Sequence, residues 1–244
     1  MAPESAPARA KLTVTLRVTG VRADGYHLID AEMVTLALAD LLTFGPGDGI
    51  AVRGPYAGGV PTDERNLIHG ALAAVGRRAR VEVDKRIPAG GGLGGGSADA
   101  AAVLRWAGCA DAAVAVQLGA DVPFCLAAVP RARVRGIGEL VEPLAFEPAA
   151  FTLVLPPFGV STAAVYRAWD DLGGPRAAGP NDLEPAALAV EPRLAEWRDR
   201  IAEAAGVRAV LAGSGSTWFV PGAHPQLVDA LAPAGVVVTR TDRP

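Results

Sequence analysis

The sequence predicts an α+β protein of two domains, a β-rich one over residues 1–147 built round a glycine loop and a ferredoxin-like one over 148–244. Three observations carry this. Residues 88–101, PAGGGLGGGSADAA, set six glycines among the seven residues Gly90 to Gly96, between a polar strand-like run, RVEVDKR, and a run of helix formers. Upstream of that loop, short alternating segments dominate. Downstream of residue 148, with one extra helix left aside, the predicted order is β-α-β-β-α-β, the split arrangement of ferredoxin-like domains. With 244 residues, half of them apolar, the chain is long enough to bury a core.

Taken in order, residues 1–9 with two prolines and three alanines read as a loose tail. AKLTVTLRV then alternates as a strand, with Leu12, Val14, Leu16 and Val18 on one face and Lys11, Thr13, Thr15 and Arg17 on the other. Lys11 therefore belongs to a polar face, beside solvent or a cleft. A turn at Ala23-Asp24-Gly25 brings Tyr26 and His27 to the entrance of the next strand. Residues 31–53 divide into short strands, EMVTLAL, LLTF and IAVR, with Gly and Pro turns between them.

Residues 54–63 are a loop, Asn66 caps a helix NLIHGALAAVGRR, and RVEVDKR returns as a strand. After the glycine loop, Ser97 is the expected N-cap of the next helix, with Asp99 in its first turn. Asp111 caps a second helix that Gly119 ends, and Asp121 opens a segment leading into an apolar strand. RARVRG and GELVEPL form a hairpin round Gly136 and Gly138. In the second domain FTLVL is a strand, STAAVYRAWDDL a helix capped by Ser161 or Thr162, and PRLAEWRDRIAEAAG a helix with an apolar stripe at Leu194, Trp197 and Ile201. VRAVLAG and STWFV are strands across the turn Gly213-Ser214-Gly215, followed by helix HPQLVDALA and strand VVVT.

Composition narrows the partners. Net charge is −3 and the largest basic cluster is Arg77, Arg78 and Arg80, which disfavours nucleic acid and leaves room for one small anionic ligand. Arg105, Asp111 and Asp121 break the longest apolar runs below the length a membrane helix needs. MAPESAPARAKL lacks the apolar segment of a signal peptide, and Cys109 and Cys125 make no disulfide or zinc pattern, so a reducing cytoplasm is the expected compartment. Of 23 basic residues only Lys11 and Lys85 are lysine. Where surface cations are written as arginine, a lysine is a candidate for a task needing a compact ammonium.

Strand, glycine loop and helix start together favour a bound anion, because the first amides of a helix have no internal acceptor and the dipole there is positive. The loop lacks the Lys-Ser/Thr ending of a Walker motif. It matches the dinucleotide pattern at Gly90, Gly92 and Gly95, but so many glycines satisfy almost any glycine pattern, and Asp111, at the spacing of a ribose-binding acid, reads as a helix cap. A ligand-free hinge is the bland alternative.

PAGGGLGGGSADAA resembles the glycine motif of the GHMP small-molecule kinases. Within them, AKLTVTLRVTGVRADGYHLI, LGADVPFCL and AGSGSTWF resemble, in order, the motifs of the family that phosphorylates cytidine-diphosphate-linked methylerythritol, and NLIHGAL and GIGE fall at comparable places. The likeness covers nearly the whole chain. It implies the two-domain GHMP kinase fold with that family's left-handed-type nucleotide site, ATP and Mg²⁺, and a small-molecule alcohol as acceptor. It implies catalytic roles for Lys11 and Asp121, and nucleotide contacts from Asn66, Pro88, Gly90, Gly91, Gly92, Leu93, Gly94, Gly95, Gly96 and Ser97, with Ser97 also a metal contact through the nucleotide. Thr13, Tyr26, His27, Tyr166, Gly213, Ser214 and Gly215 are the implied substrate contacts, Tyr26 and Tyr166 sandwiching a cytosine whose polar edge His27 reads. A monomer or weak homodimer is expected.

Four departures from the family pattern stand out. Thr13 replaces the usual Asn, Ala98 replaces a second serine, Ser214 replaces a threonine, and the interval from Ser97 to Gly119 is short, as is the tail. Two alternatives stay open: another GHMP kinase, of mevalonate, sugar or homoserine type, and a catalytically silent nucleotide-binding relative.

Overall fold

The computed structural model describes residues 4–244. Its first sheet has six strands: β1 (Glu4–Val21), β2 (His27–Gly45), β3 (Gly49–Arg53), β4 (Arg80–Asp84), β5 (Arg131–Gly136) and β6 (Leu140–Pro143). The order is β3-β4-β2-β5-β6, with β1 along the other edge of β2; β3 and β4 run parallel and the remaining pairs antiparallel. β2 is long enough to serve three partners. Leu41–Gly45 pair with β4, Ile29–Val34 with β5, and nearly the full length with β1.

Helices α1 (Leu67–Ala74), α2 (Gly95–Trp106), α3 (Ala112–Leu118) and α4 (Val122–Ala127) accompany this sheet. Asn66 and Asp111 cap α1 and α3 as expected, each side chain accepting the backbone N–H two residues on. α2 carries Ala98, Ala100, Ala101 and Ala102 fully buried; side chains this small let the helix lie close to β1 and α1.

The second sheet has the order β10-β7-β9-β8, all antiparallel, from β7 (Ala150–Leu155), β8 (Val210–Leu211), β9 (Trp218–Pro221) and β10 (Gly235–Arg240). This is the ferredoxin-like order. α5 (Thr162–Asp171), α6 (Glu184–Val190), α7 (Arg193–Ala205) and α8 (Leu227–Ala230) complete it. Ser161 caps α5, and Leu194, Trp197 and Ile201 on α7 are buried. The sequence reading does not assign α6.

Several local expectations are corrected. The tail expected over residues 1–9 is strand from Glu4 onward, because Ala8 and Ala10 are small enough to seat in the core and β2 extends to meet them. EMVTLAL and LLTF are one strand, since no breaker lies between them; the Gly-Pro-Gly turn comes only at residues 45–47. The apolar strand expected after Asp121 is α4, whose Pro123 sits in the first turn, where its missing N–H is harmless. Ser97 is not the cap of α2. Gly94, at φ 68°, occupies that position without a side-chain bond, so Ser97 lies inside the first turn and Asp99 beyond it. The simple alternation of β1 is interrupted by register shifts at Arg9/Lys11, Thr13/Thr15 and Val18/Gly20.

Candidate active site

β1 is an outer strand, and its free edge receives two loops. Lys11 N–H donates to Leu93 O of the glycine loop at 3.1 Å, and five residues on Leu16 N–H donates to Pro180 O at 2.9 Å. The next residue, Asn181, is buried; its amide donates to Leu211 O and Gly213 O, and its Oδ1 accepts from Leu183 N–H. One strand edge thus fixes both the glycine loop and the Gly213-Ser214-Gly215 turn. The two glycine segments also touch. A Cβ on Gly92 would fall 2.4 Å from Ala212 O, and one on Gly91 2.8 Å from Thr217 Oγ1. Ser214 Oγ lies 2.8 Å from Thr162 Oγ1 at the start of α5, tying the turn to that helix.

Beneath this meeting point lie Lys11 and Thr13. Lys11 is only 4% exposed, and its Nζ is 3.1 Å from both Thr13 Oγ1 and Asp121 Oδ2. The Asp121 side chain, at the head of α4, keeps 31% of its surface and can still meet a ligand. Gly213 stands close by: a Cβ there would be 3.9 Å from Lys11 Nζ and 4.0 Å from Thr13 Oγ1. Lys11, Thr13, Asp121 and Gly213 therefore form one cluster, with an ammonium and a carboxylate sharing its floor.

On the other side of the loop is a cleft of about 330 Å³. Asn66, Pro88, Gly90 to Gly96 and Ser97 all line it, so the structure brings the ten expected nucleotide contacts together. The first amides of α2 open into this region, the arrangement that favours a phosphate.

Lys85 and Asp99 also line the cleft and were not assigned from the sequence. Lys85 Nζ donates to Asp40 Oδ2 at 2.5 Å and Asp99 Oδ2 at 2.6 Å, and all three side chains are buried. Asp40 Oδ1 accepts from the N–H groups of Arg86 and Ile87, where β4 runs out toward the loop. Burial pulls the Lys85 ammonium down, but the charges of Asp99 and Asp40 outweigh it and its pKa is raised. Burial pushes the Asp99 carboxyl up, to about 7, against the opposing pull of Lys85. The Oδ1 of Asp99 is buried with no partner among the described residues. Scarcity of lysine was the one sequence signal here: both lysines are buried, Lys11 under Gly94 and Lys85 under Gly95.

A third group lies at the entrance of β2. The His27 ring is 4.6 Å from Tyr166 and tilted 37°, and 5.6 Å from Trp169, edge on. Tyr26 is 59% exposed and pairs with no ring among the described residues, while the His27 ring lies beside Tyr166. Burial, then the charge of Asp121, raises the Tyr166 hydroxyl, which is neutral at physiological pH. Burial and the same Asp121 charge push the Cys125 thiol up to about 12, leaving it inert.

For a divalent cation the chain offers little of its own. Among the described residues no three His, Cys, Asp or Glu side chains converge, and Ser97 contributes one hydroxyl at the cleft. That donor set fits an ion carried largely by a ligand's phosphates.

The GHMP kinases N terminal domain is matched over residues 66–128, the stretch from α1 to α4. The 4-diphosphocytidyl-2-C-methyl-D-erythritol kinase of Paracoccus denitrificans is 41% identical over 236 residues, covering 88% of this chain and 85% of that protein. The protein of the same name from Pelotomaculum thermopropionicum is 40% identical over 255 residues, with 88% of each covered. A crystal structure of a 4-(cytidine 5'-diphospho)-2C-methyl-D-erythritol kinase superposes with TM-score 0.77 at 32% identity, over 98% of this chain and all of that one. Mevalonate kinase of L. major, at TM-score 0.66 and 12% identity over 98% of this chain and 96% of that one, shares the fold.

Proposed function

The chain belongs to the 4-diphosphocytidyl-2-C-methyl-D-erythritol kinases of the GHMP kinase family, and from that premise we propose that it moves the γ-phosphoryl group of ATP to the C2 hydroxyl of 4-diphosphocytidyl-2-C-methyl-D-erythritol. The products are the 2-phosphate and ADP, a step of non-mevalonate isoprenoid synthesis. The observation that carries the site assignment is the pairing of Lys11 with Asp121 at 3.1 Å under two converging glycine segments.

In this reading the α2 amides and the loop glycines hold the triphosphate. Asp121 orients the C2 hydroxyl. A carboxylate is a far weaker base than an alkoxide, so the proton leaves late, as the oxygen–phosphorus bond forms and the bond to ADP breaks. Lys11 offsets charge on Asp121 and on the group in flight, and Thr13 holds the ammonium in place. Mg²⁺ bound to the phosphates, with Ser97 beside it, would neutralise part of their charge. Tyr166 offers an aromatic face to the cytosine, His27 a ring nitrogen to its polar edge, and exposed Tyr26 is free to close on the other face. Gly213, Ser214 and Gly215 line the acceptor side.

The same proposal divides the chain at 147/148, which the separate sheets before Pro143 and after Ala150 support. It has the enzyme working in the cytoplasm as a monomer or weak homodimer, with Cys109 and Cys125 free. Asp121→Asn tests the chemistry. The expected result is a fall in kcat on the order of 10²-fold with ATP affinity little changed, as for a group acting mainly in the transition state; unchanged turnover would contradict the role.

A further inference from the structure

His27 and Asp170 are 143 residues apart in the chain, and Nε2 of the one lies 2.8 Å from Oδ1 of the other. Asp170 sits one turn after Tyr166 on α5 and next to Trp169, so a single helix face supplies the carboxylate and both rings that surround the imidazole. The ring is held from three directions. Its side chain is 10% exposed.

The two imidazole nitrogens are not equivalent. A carboxylate can only accept, so Nε2 must carry the proton in this bond, and in the neutral ring Nδ1 is then a lone-pair acceptor. Nδ1 has no hydrogen-bond partner among the described residues. Without Asp170 the proton could sit on either nitrogen, and the ring could offer a donor or an acceptor at the same place.

We propose that Asp170 is a positioning residue that fixes His27 in its Nε2–H tautomer and thereby makes the site select a pyrimidine bearing an exocyclic amine over one bearing a carbonyl. The inference rests on the proposed function, in which His27 meets the polar edge of the base. The 4-amino group of cytosine donates to Nδ1. Uracil sets a carbonyl oxygen against the same lone pair, leaving two acceptors unpaired in a partly desolvated pocket, which corresponds to discrimination on the order of 10-fold or more. Asp170 does not touch the base. It acts through the imidazole, and by joining β2 to α5 it holds the pocket's two walls together.

The test compares the wild-type enzyme with Asp170→Ala and Asp170→Asn. Long-range ¹H–¹⁵N spectra of the imidazoles, with His27 identified by its loss in His27→Ala, should give the Nε2–H pattern in the wild type and a mixture of tautomers in Asp170→Ala. Steady-state kinetics on the cytidylated substrate and its uridylated counterpart should give a cytidine preference in the wild type. In Asp170→Ala that preference should fall about tenfold, through KM for the cytidylated substrate, with KM for ATP unchanged. Asp170→Asn, whose amide can accept or donate, should fall between. Turnover of the cytidylated substrate with an unaltered preference in Asp170→Ala, or a wild-type imidazole protonated on Nδ1, would overturn this proposal alone. No wild-type turnover of the cytidylated substrate would overturn the functional reading and the selectivity with it.

Discussion

Lys85 shares one buried pocket with two carboxylates, and the balance among the three is set by how many charges the interior must hold. With the ammonium present, one positive charge faces Asp40 and an Asp99 whose carboxyl is raised to about 7 by burial first of all. The folded state keeps that proton at a pH where the unfolded chain, with an ordinary aspartate near 3.8, has lost it, so this group lowers stability as pH rises from about 4 to about 7. Lys85→Met takes the cation away and leaves the carboxylates unpaired. A loss of about 3–5 kcal/mol is expected at pH 8, and a smaller loss at pH 5, where Asp99 is protonated. Urea denaturation at the two pH values measures both, and a loss below about 1 kcal/mol, or one that grows on acidification, would contradict the account. Arginine could not replace this lysine, because its planar fork is larger than the space under Gly95, where a Cβ would already be 3.1 Å from Nζ.

At the scale of elements, the glycine segment works because its backbone is bent and its surface is bare. Gly90, Gly92 and Gly94 all have φ near +70°, yet only Gly92 and Gly94 are pressed against neighbours. Gly90→Ala therefore costs only the backbone strain, about 1–2 kcal/mol. Gly92→Ala adds a Cβ 2.4 Å from Ala212 O and must push the Gly213 turn away. ATP affinity by titration calorimetry should fall on the order of tenfold in Gly92→Ala and less in Gly90→Ala; equal effects would mean that the contact between the two glycine segments is unimportant. The loop and its helix were legible in the sequence because their signals are local: glycine density, a strand before, helix formers after. The identity of the α2 cap was not, because Ser97 is the better N-cap by residue type while a left-handed Gly94 starts the helix three residues earlier. α4 was misread for a related reason, since VPFCLA is short and apolar and only Pro123 hints at a helix start. The triad round Lys85 and the His27–Asp170 bond were beyond reach, as they depend on which strands pair and on which face of α5 turns toward β2.

At the scale of the whole molecule, the two sheets share their cores. One cluster joins Leu12, Leu36, Val81 and Ala100 to Phe151, Leu153 and Phe219, and the other joins Leu16, Ile29 and Met33 to Val154, Trp169 and Trp218. Leu12 and Leu16 on β1 therefore anchor different cores, and the candidate site flanks Leu12, at Lys11 and Thr13. The short interval from Ser97 to Gly119 still accommodates most of the twelve-residue α2 and all of the seven-residue α3, and Val122 and Phe124 just after Asp121 are buried, so α4 is firmly seated. Because the fold is shared with mevalonate kinase, fold alone does not choose the acceptor; in the proposed reading the pocket round His27 and Tyr166 does. The most direct measurement is ADP release by the purified protein with ATP and Mg²⁺, offered 4-diphosphocytidyl-2-C-methyl-D-erythritol, mevalonate, galactose or homoserine in turn. Turnover of the cytidylated substrate alone is predicted; turnover of one of the others instead, or silence on all four with ATP still bound, would contradict the central claim.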